Sequence, residues 1–155
     1  MALSRLRNAD VVELLSVVLE HLAKGEVLQM SAADRRTSFL AQIDYYLTKS
    51  YYKTASLFSN GCKAAAILGG HTPAIQEVLF EYGRYLGLTF QIVDDLLDFV
   101  GTDESLGKPA HADLGQGIAT LPVLYAAEQF PELSELIARK FKQSGDVEQV
   151  SICTG

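Results

Sequence analysis

The sequence predicts an all-α protein, and two observations support that prediction. Apolar residues recur every three or four positions along most of the 155-residue chain, while the strict alternation typical of β-strands is nearly absent. Helix start signals, either a capping side chain or a proline, also precede several of these periodic runs. We find no internal repeat, and the length suits one core of ordinary size, so we expect a single domain over residues 1–155.

The composition is that of a globular domain and argues against two classes of partner. Hydrophobic residues make up 48% of the chain, charged residues 21%, and the formal net charge is −6. Because no basic cluster appears, we expect no nucleic-acid partner. No apolar run reaches the roughly 18 residues of a transmembrane helix, and no targeting segment is visible. Cys62 and Cys153 suggest neither a disulfide framework nor a metal site.

The first predicted helix begins at Asn8 or Asp10, since either side chain can cap it. Its apolar positions keep the helical spacing past Gly25 to Met30. The polar segment 31–37 then predicts a loop.

A second long helix is predicted from Ser38. It is expected to bend or stop around Gly61, with a short continuation to Gly69. Thr72 and Pro73 form a strong start signal for a third helix, which we expect to reach Val100.

Residues 102–117 contain four glycines or prolines and predict a loop. The Thr120-Leu121-Pro122 segment opens a helix through Ala127, and Pro131 or Glu132 opens another through about Phe141. Beyond Gly145 the pattern fades, and residues 151–155 are expected to close no element.

The third helix carries an acidic run near its end. At roughly 100° per residue, Gln91, Asp94, Asp95 and Asp98 fall on one face. That face has no lysine or arginine to relieve the repulsion between its carboxylates. A divalent cation such as Mg²⁺, which takes oxygen ligands, is therefore a natural partner. The alternative is a solvated polar stripe on an amphipathic helix.

Two pairs of residues on the first two helices are further candidates. Lys53 and Thr54 lie inside the second helix, where a lysine presents a point charge to a phosphate. The alternative is a lysine that extends to solvent along an apolar surface. Glu26 and Gln29 are one helical turn apart, and the plain interpretation is a surface pair.

The loop after the acidic run contains Lys108 and Asp113. Such a loop can close over a charged ligand and exclude water, although an ordinary surface loop is the alternative. The three histidines show no zinc-site spacing and are interpreted as incidental.

The combination resembles the trans-isoprenyl diphosphate synthases, and most closely the long-chain polyprenyl synthases of the solanesyl and decaprenyl type. The resemblance covers residues 2–150 and leaves 151–155 as a divergent tail. The motifs that carry it are Gly25-Glu26-x-x-Gln29, Lys53-Thr54, Phe90-Gln91-x-x-Asp94-Asp95-x-x-Asp98, Gly107-Lys108-Pro109, Asp113-Leu114 and Gly117-x-x-Thr120-Leu121-Pro122-Val123-Leu124.

The resemblance implies part of an isoprenoid-synthase helical bundle that uses Mg²⁺ to condense an allylic diphosphate with isopentenyl diphosphate. It also implies a homo- or hetero-oligomer with a synthase subunit, and a mitochondrial role in making quinone side chains. By the resemblance, Asp94, Asp95 and Asp98 would bind the metal, and the first two would be its closer partners. Lys53 and Lys108 would contact the diphosphate. Thr54 and Gln91 would line the reacting centre, and Asp113 would help to order the closing loop.

The sequence also departs from the family. A first aspartate-rich motif is missing, because Asp10, Asp34 and Asp44 stand among non-acidic neighbours. The basic cluster that binds isopentenyl diphosphate in the family is missing too. We therefore expect an internal piece of a synthase that is inactive alone, or else a non-catalytic partner of a complete synthase. A class I terpene cyclase is a third, weaker interpretation. Apolar faces on the first and third helices should lack partners, which predicts an aggregation-prone or partly molten chain.

Overall fold

The computed structural model describes residues 3–30, 38–101 and 111–154, and no described residue lies in a β-strand. The predicted all-α class is therefore confirmed. The helices in chain order are a 3₁₀ turn at Leu3–Leu6, α1 at Ala9–Met30, α2 at Phe39–Ser50, a π-helical segment at Tyr51–Ala55, α3 at Ser56–Leu68, α4 at Pro73–Val100, α5 at Ala112–Gly115, α6 at Leu121–Gln129, α7 at Leu133–Ala138 and α8 at Asp146–Thr154.

The chain forms two compact units. The first consists of Met1–Ser31 with Leu47–Gln91, and the second consists of Ala32–Tyr46 with Ile92–Gly155. Helices α2 and α4 thus contribute residues to both units.

In the first unit, α1 begins as predicted. The Asn8 side chain accepts a hydrogen bond from the Val11 N–H at 3.0 Å, which satisfies one of the free donors of the first turn. Helix α1 packs against the π-helical segment and α3. Gly25 permits this approach, because a Cβ there would lie 2.9 Å from the backbone nitrogen of Lys53.

The predicted bend around Gly61 is wrong. Gly61 lies inside α3, and the departure from α-helical geometry occurs earlier, at Tyr51–Ala55. The Ser56 N–H donates to the Tyr51 carbonyl, five residues back, which is the hydrogen bond of a π-helix. A single extra residue in the helical ladder leaves little trace in hydrophobic periodicity, whereas a glycine attracts attention without requiring a bend.

The second unit has a core contributed by its short helices, and several predicted boundaries differ here. Helix α6 ends at Gln129 rather than Ala127. Helix α7 ends at Ala138 rather than Phe141, since Lys140 and Phe141 adopt left-handed φ angles of 57° and 52°. Residues 146–154 form α8, where no element was expected. The core residues are Leu114, Val123, Ala126, Leu133, Leu136, Phe141 and Val150.

Tertiary contacts explain why α8 forms despite a weak local pattern. Val150 is fully buried in the core of the second unit. Asp146, at the start of α8, pairs with Arg139 and accepts a hydrogen bond from the Gln143 N–H at 3.1 Å. The predicted start at Thr120 is confirmed, with Pro122 in the first turn of α6. Within the predicted loop 102–117, residues 112–115 form α5, and residues 102–110 lie outside the described part, as does the predicted loop 31–37.

Large apolar side chains remain exposed on α1 and α4, as the sequence predicted for those helices. On α1, Val27 is 64% and Met30 78% exposed, and on α4, Val78 and Tyr82 are 68% and 59% exposed. No described helix has the combined length and apolar character of a membrane span.

Candidate functional site

The aspartates of the acidic run on α4 differ in how far they are buried. Asp94 is exposed, whereas Asp95 is 2% and Asp98 0% exposed. The alternative of a solvated polar stripe therefore does not describe the two buried aspartates. A buried carboxylate requires donors from the protein or a bound cation.

Asp95 receives a donor from Tyr46. The Tyr46 hydroxyl donates to Asp95 Oδ2 at 2.6 Å, and both residues are 2% exposed. Such a bond to a carboxylate is stronger than one between neutral groups, so it fixes the orientation of Asp95. No motif in the sequence singled out Tyr46 as a site residue. The available signal was its hydroxyl, which needs a partner on a buried helix face.

Asp98 accepts hydrogen bonds from the backbone at the start of α5. Its Oδ2 accepts from the Asp113 N–H at 3.2 Å, and its backbone carbonyl accepts from the His111 N–H at 3.0 Å. The structure therefore brings Asp113 next to the acidic run through its backbone. Its predicted role in ordering a closing loop remains a prediction. Lys108, the other candidate on that loop, lies outside the described residues.

His21 and His111, interpreted as incidental, both have specific contacts. His21 Nδ1 lies 2.6 Å from the hydroxyl of the fully buried Ser56, and burial lowers the pKa of His21. The His111 ring packs on Phe99 with 5.3 Å between ring centroids. Neither joins a group of three metal-ligating side chains, and none exists among the described residues.

Lys53 lies in the π-helical segment of the first unit and contacts two side chains of α1. Its Nζ donates to Gln29 Oε1 at 2.6 Å and lies 3.5 Å from Glu26 Oε1. The interpretation of Glu26 and Gln29 as a plain surface pair is therefore incomplete, because the structure brings both to the candidate lysine. The Lys53 side chain as a whole keeps 35% of its surface exposed.

Thr54 and Gln91, which the resemblance assigns to one reacting centre, are in direct contact in the first unit. The Thr54 hydroxyl donates to Gln91 Oε1 at 2.7 Å, across 37 residues of sequence. The adjacent Lys53 and Thr54 thus engage different partners, one on α1 and one on α4.

The donor set of the acidic run fits a shared magnesium site better than a closed protein cage. Mg²⁺ usually takes one or two carboxylates and completes its shell with water and substrate phosphates. Asp94 is exposed to such a ligand, and the hydrogen bond from Tyr46 orients the carboxylate of Asp95 one position along the helix. A ligand that brings its own phosphate oxygens would complete the shell.

Comparisons with known proteins agree on one family. The family model described as polyprenyl synthetase matches residues 1–152. Solanesyl-diphosphate synthase 1, mitochondrial, of Oryza sativa subsp. japonica is 51% identical over 149 residues, which is 96% of this chain and 34% of that protein. Decaprenyl-diphosphate synthase of Dictyostelium discoideum is 47% identical over 96% of this chain and 32% of that protein.

Solved structures give the same result. The apo form of an Arabidopsis medium/long-chain length prenyl pyrophosphate synthase matches with a TM-score of 0.83 and 45% identity, over 99% of this chain and 50% of that one. A polyprenyl synthase from Caulobacter crescentus CB15, complexed with calcium and isoprenyl diphosphate, matches with a TM-score of 0.83 and 35% identity, over 97% and 47%. The chain spans about a third of the length of the rice and Dictyostelium relatives.

Proposed function

This chain belongs to the polyprenyl synthetase family, and from that premise we propose that it carries the allylic-diphosphate half of a long-chain trans-polyprenyl diphosphate synthase. In the complete reaction, the allylic diphosphate would ionise to a carbocation and free diphosphate. The double bond of isopentenyl diphosphate would attack that carbocation, and the tertiary cation so formed would lose a proton to give the next allylic diphosphate. Growth of the chain would repeat that step. The relatives named above, which are solanesyl and decaprenyl synthases, support a long product.

The contact between Thr54 and Gln91 supports this proposal most directly. It joins two motifs that lie 37 residues apart and that the resemblance assigns to the reacting centre. The oxygen atoms of this hydrogen-bonded hydroxyl and amide carry partial negative charge, which would stabilise a developing carbocation. Neither is a strong nucleophile, so the cation would survive until the second substrate reacts.

The charged residues would bind the departing diphosphate and stabilise its negative charge. Lys53, whose side chain remains partly exposed, would bind the diphosphate oxygens through its ammonium. Asp94, Asp95 and Asp98 would hold magnesium. When bound, that metal would supply the positive charge that stabilises the diphosphate as the carbon–oxygen bond breaks. Lys108, to which the resemblance assigns a diphosphate contact, would add a second ammonium.

We further propose that the chain alone does not complete turnover. Its sequence contains a single Asp-Asp-x-x-Asp motif and no basic cluster for the second substrate. The activity would then belong to a longer polypeptide that contains this segment, acting in mitochondria like the rice relative whose name states that location. A polyprenyl product from this chain, farnesyl diphosphate, isopentenyl diphosphate and Mg²⁺ would contradict this.

A non-catalytic partner subunit is the second candidate function. The observation that favours it is the exposed apolar surface of α1 and α4, which another synthase subunit would cover. Co-purification with a full-length long-chain synthase at fixed stoichiometry would support this candidate. A longer native polypeptide with an upstream aspartate-rich motif would support the first.

Thermal denaturation tests the shared element of both candidates, which is diphosphate binding. At about a hundred times the Kd, a ligand adds about 2.7 kcal/mol of stability, so the melting temperature should rise by roughly 5–10 °C. We expect this rise only when farnesyl diphosphate and Mg²⁺ are both present. Lys53→Met should reduce it, and Lys24→Met, an exposed lysine on α1, should not. A folded wild-type chain without any rise would contradict the proposal.

A further inference from the structure

The Gly25–Gln29 segment of α1 lies against Lys53, and the reaction described above gives it no role. We infer that Gln29 is a positioning residue that holds the Lys53 ammonium ready for a diphosphate, while Glu26 acts as a counter-charge that weakens anion binding. The inference rests on the proposed function, since Lys53 must be the residue that meets the diphosphate.

Close backbone packing makes the contact possible. Gly25 is buried, and a Cβ there would lie 2.9 Å from the nitrogen and 3.0 Å from the Cα of Lys53. No side chain separates the two backbones, so Gln29, one turn further along α1, reaches the Lys53 ammonium. Lys53 also lies in the π-helical segment, a feature that is frequent at functional sites.

The two acceptors differ in charge and in distance. Gln29 Oε1 is 2.6 Å from Lys53 Nζ, whereas Glu26 Oε1 is 3.5 Å away. An amide oxygen restricts the many rotamers of a lysine without cancelling its charge. The carboxylate lowers the local positive potential, but its side chain is 53% exposed, so solvent screens this effect.

Substitutions at the two positions should therefore act in opposite directions on anion affinity. Removing the carboxylate with Glu26→Gln should tighten the binding of inorganic pyrophosphate in the presence of Mg²⁺ by about two- to five-fold. Gln29→Glu should weaken it by at least a similar factor, because a full negative charge would then sit against the ammonium. Gln29→Leu should also weaken it, through loss of orientation.

The matched control is Glu20→Gln. It removes one carboxylate from the same helix, but Glu20 pairs with Lys24 at 2.6 Å rather than with Lys53. It should leave pyrophosphate affinity unchanged. Circular dichroism melts of all variants show whether each remains folded. A purely structural role would change melting temperatures without producing opposite signs at positions 26 and 29.

A second readout needs no anion. In ¹⁵N-resolved NMR of lysine ammonium groups, we expect a Lys53 signal in the ligand-free chain, because the bond to Gln29 slows its hydrogen exchange. The signal should vanish in Gln29→Leu and persist in Glu26→Gln. Its absence in the wild type, or its persistence in Gln29→Leu, would overturn the inference even if pyrophosphate binds.

Together, the two measurements distinguish a failure of the proposed function from a failure of this inference. An NMR signal that behaves as expected, in a folded chain that does not bind pyrophosphate with Mg²⁺, would refute the proposed function, and with it any role of Gln29 in diphosphate binding. Pyrophosphate binding with the same sign of change in Glu26→Gln and Gln29→Glu would overturn the inference alone.

Discussion

Tyr46 and Asp95, 49 residues apart, are joined by a buried hydrogen bond of 2.6 Å between the phenol and the carboxylate. Each residue is 2% exposed. The bond fixes the middle aspartate of the acidic run before any ligand arrives, so it contributes to both the stability of the second unit and the preparation of the proposed metal site.

Replacing Tyr46 with Phe should destabilise the chain by about 1.5–3 kcal/mol, because a hydrogen bond to a charged group is lost and a buried carboxylate keeps one donor fewer. Urea unfolding, followed by circular dichroism, measures the change. Tyr125→Phe is the matched control, since Tyr125 is 52% exposed and loses the same atom. Equal stability losses for the two variants would show that the Tyr46 hydroxyl has no special role.

Glycines of the first unit should respond to alanine with opposite signs. A Cβ at Gly87 would lie 2.5 Å from the Cα of Ala55, so Gly87→Ala should cost about 1–3 kcal/mol through overpacking. Gly61 has no atom within 4 Å of its Cβ position and lies inside α3. Gly61→Ala should therefore stabilise by about 0.5–1 kcal/mol. Chemical denaturation of the two variants checks both signs, and a stable Gly87→Ala variant would argue against this packing.

The ion pair between Arg139 and Asp146 should make stability depend on pH. Arg139 Nε donates to Asp146 Oδ2 at 2.8 Å, and the hydrogen bonds from Arg139 hold the pKa of Asp146 below its ordinary value. A carboxyl with a lowered folded-state pKa contributes stability that is present above its unfolded pKa, about 3.9, and is lost as pH falls through the folded value.

Unfolding measured between about pH 2 and pH 6 should therefore show a loss of stability toward acid that Asp146→Asn reduces. Glu148→Gln, an exposed position on the same helix, is the control and should keep the wild-type slope. If Asp146→Asn followed the wild-type pH profile, the pair would contribute nothing to the docking of α8.

Local signals predicted the elements that local chemistry determines. The Asn8 cap and the α4 boundaries at Pro73 and Val100 followed from single side chains and periodicity. The π-helical segment did not, because one extra residue in a helical ladder barely disturbs the hydrophobic pattern. Helix α8 was missed because the burial of Val150 and the Asp146 ion pair, rather than helix propensity, stabilise it.

In the candidate site, too, local sequence signals predicted some features and missed those that depend on helix packing. Through the resemblance, the residue types and their order predicted roles for Lys53, Thr54, Gln91 and the aspartates, and those roles remain predictions. Sequence alone could not show that Tyr46 contacts Asp95 or that Gln29 contacts Lys53, because each pair is separated by two dozen residues or more and depends on how the helices pack. Nor could it show that the aspartates differ in burial.

Calorimetric titration of farnesyl diphosphate into the purified chain, with and without Mg²⁺, tests the central claim most directly. We expect binding that requires Mg²⁺ and that Asp94→Asn weakens at least ten-fold, because this exposed aspartate is a proposed metal ligand and its substitution should not disturb the fold. Asp44→Asn, an exposed aspartate outside the acidic run, should bind like the wild type. Absence of binding by a folded chain, or binding that neither Mg²⁺ nor Asp94 affects, would contradict the proposal that this segment holds a metal-dependent diphosphate site.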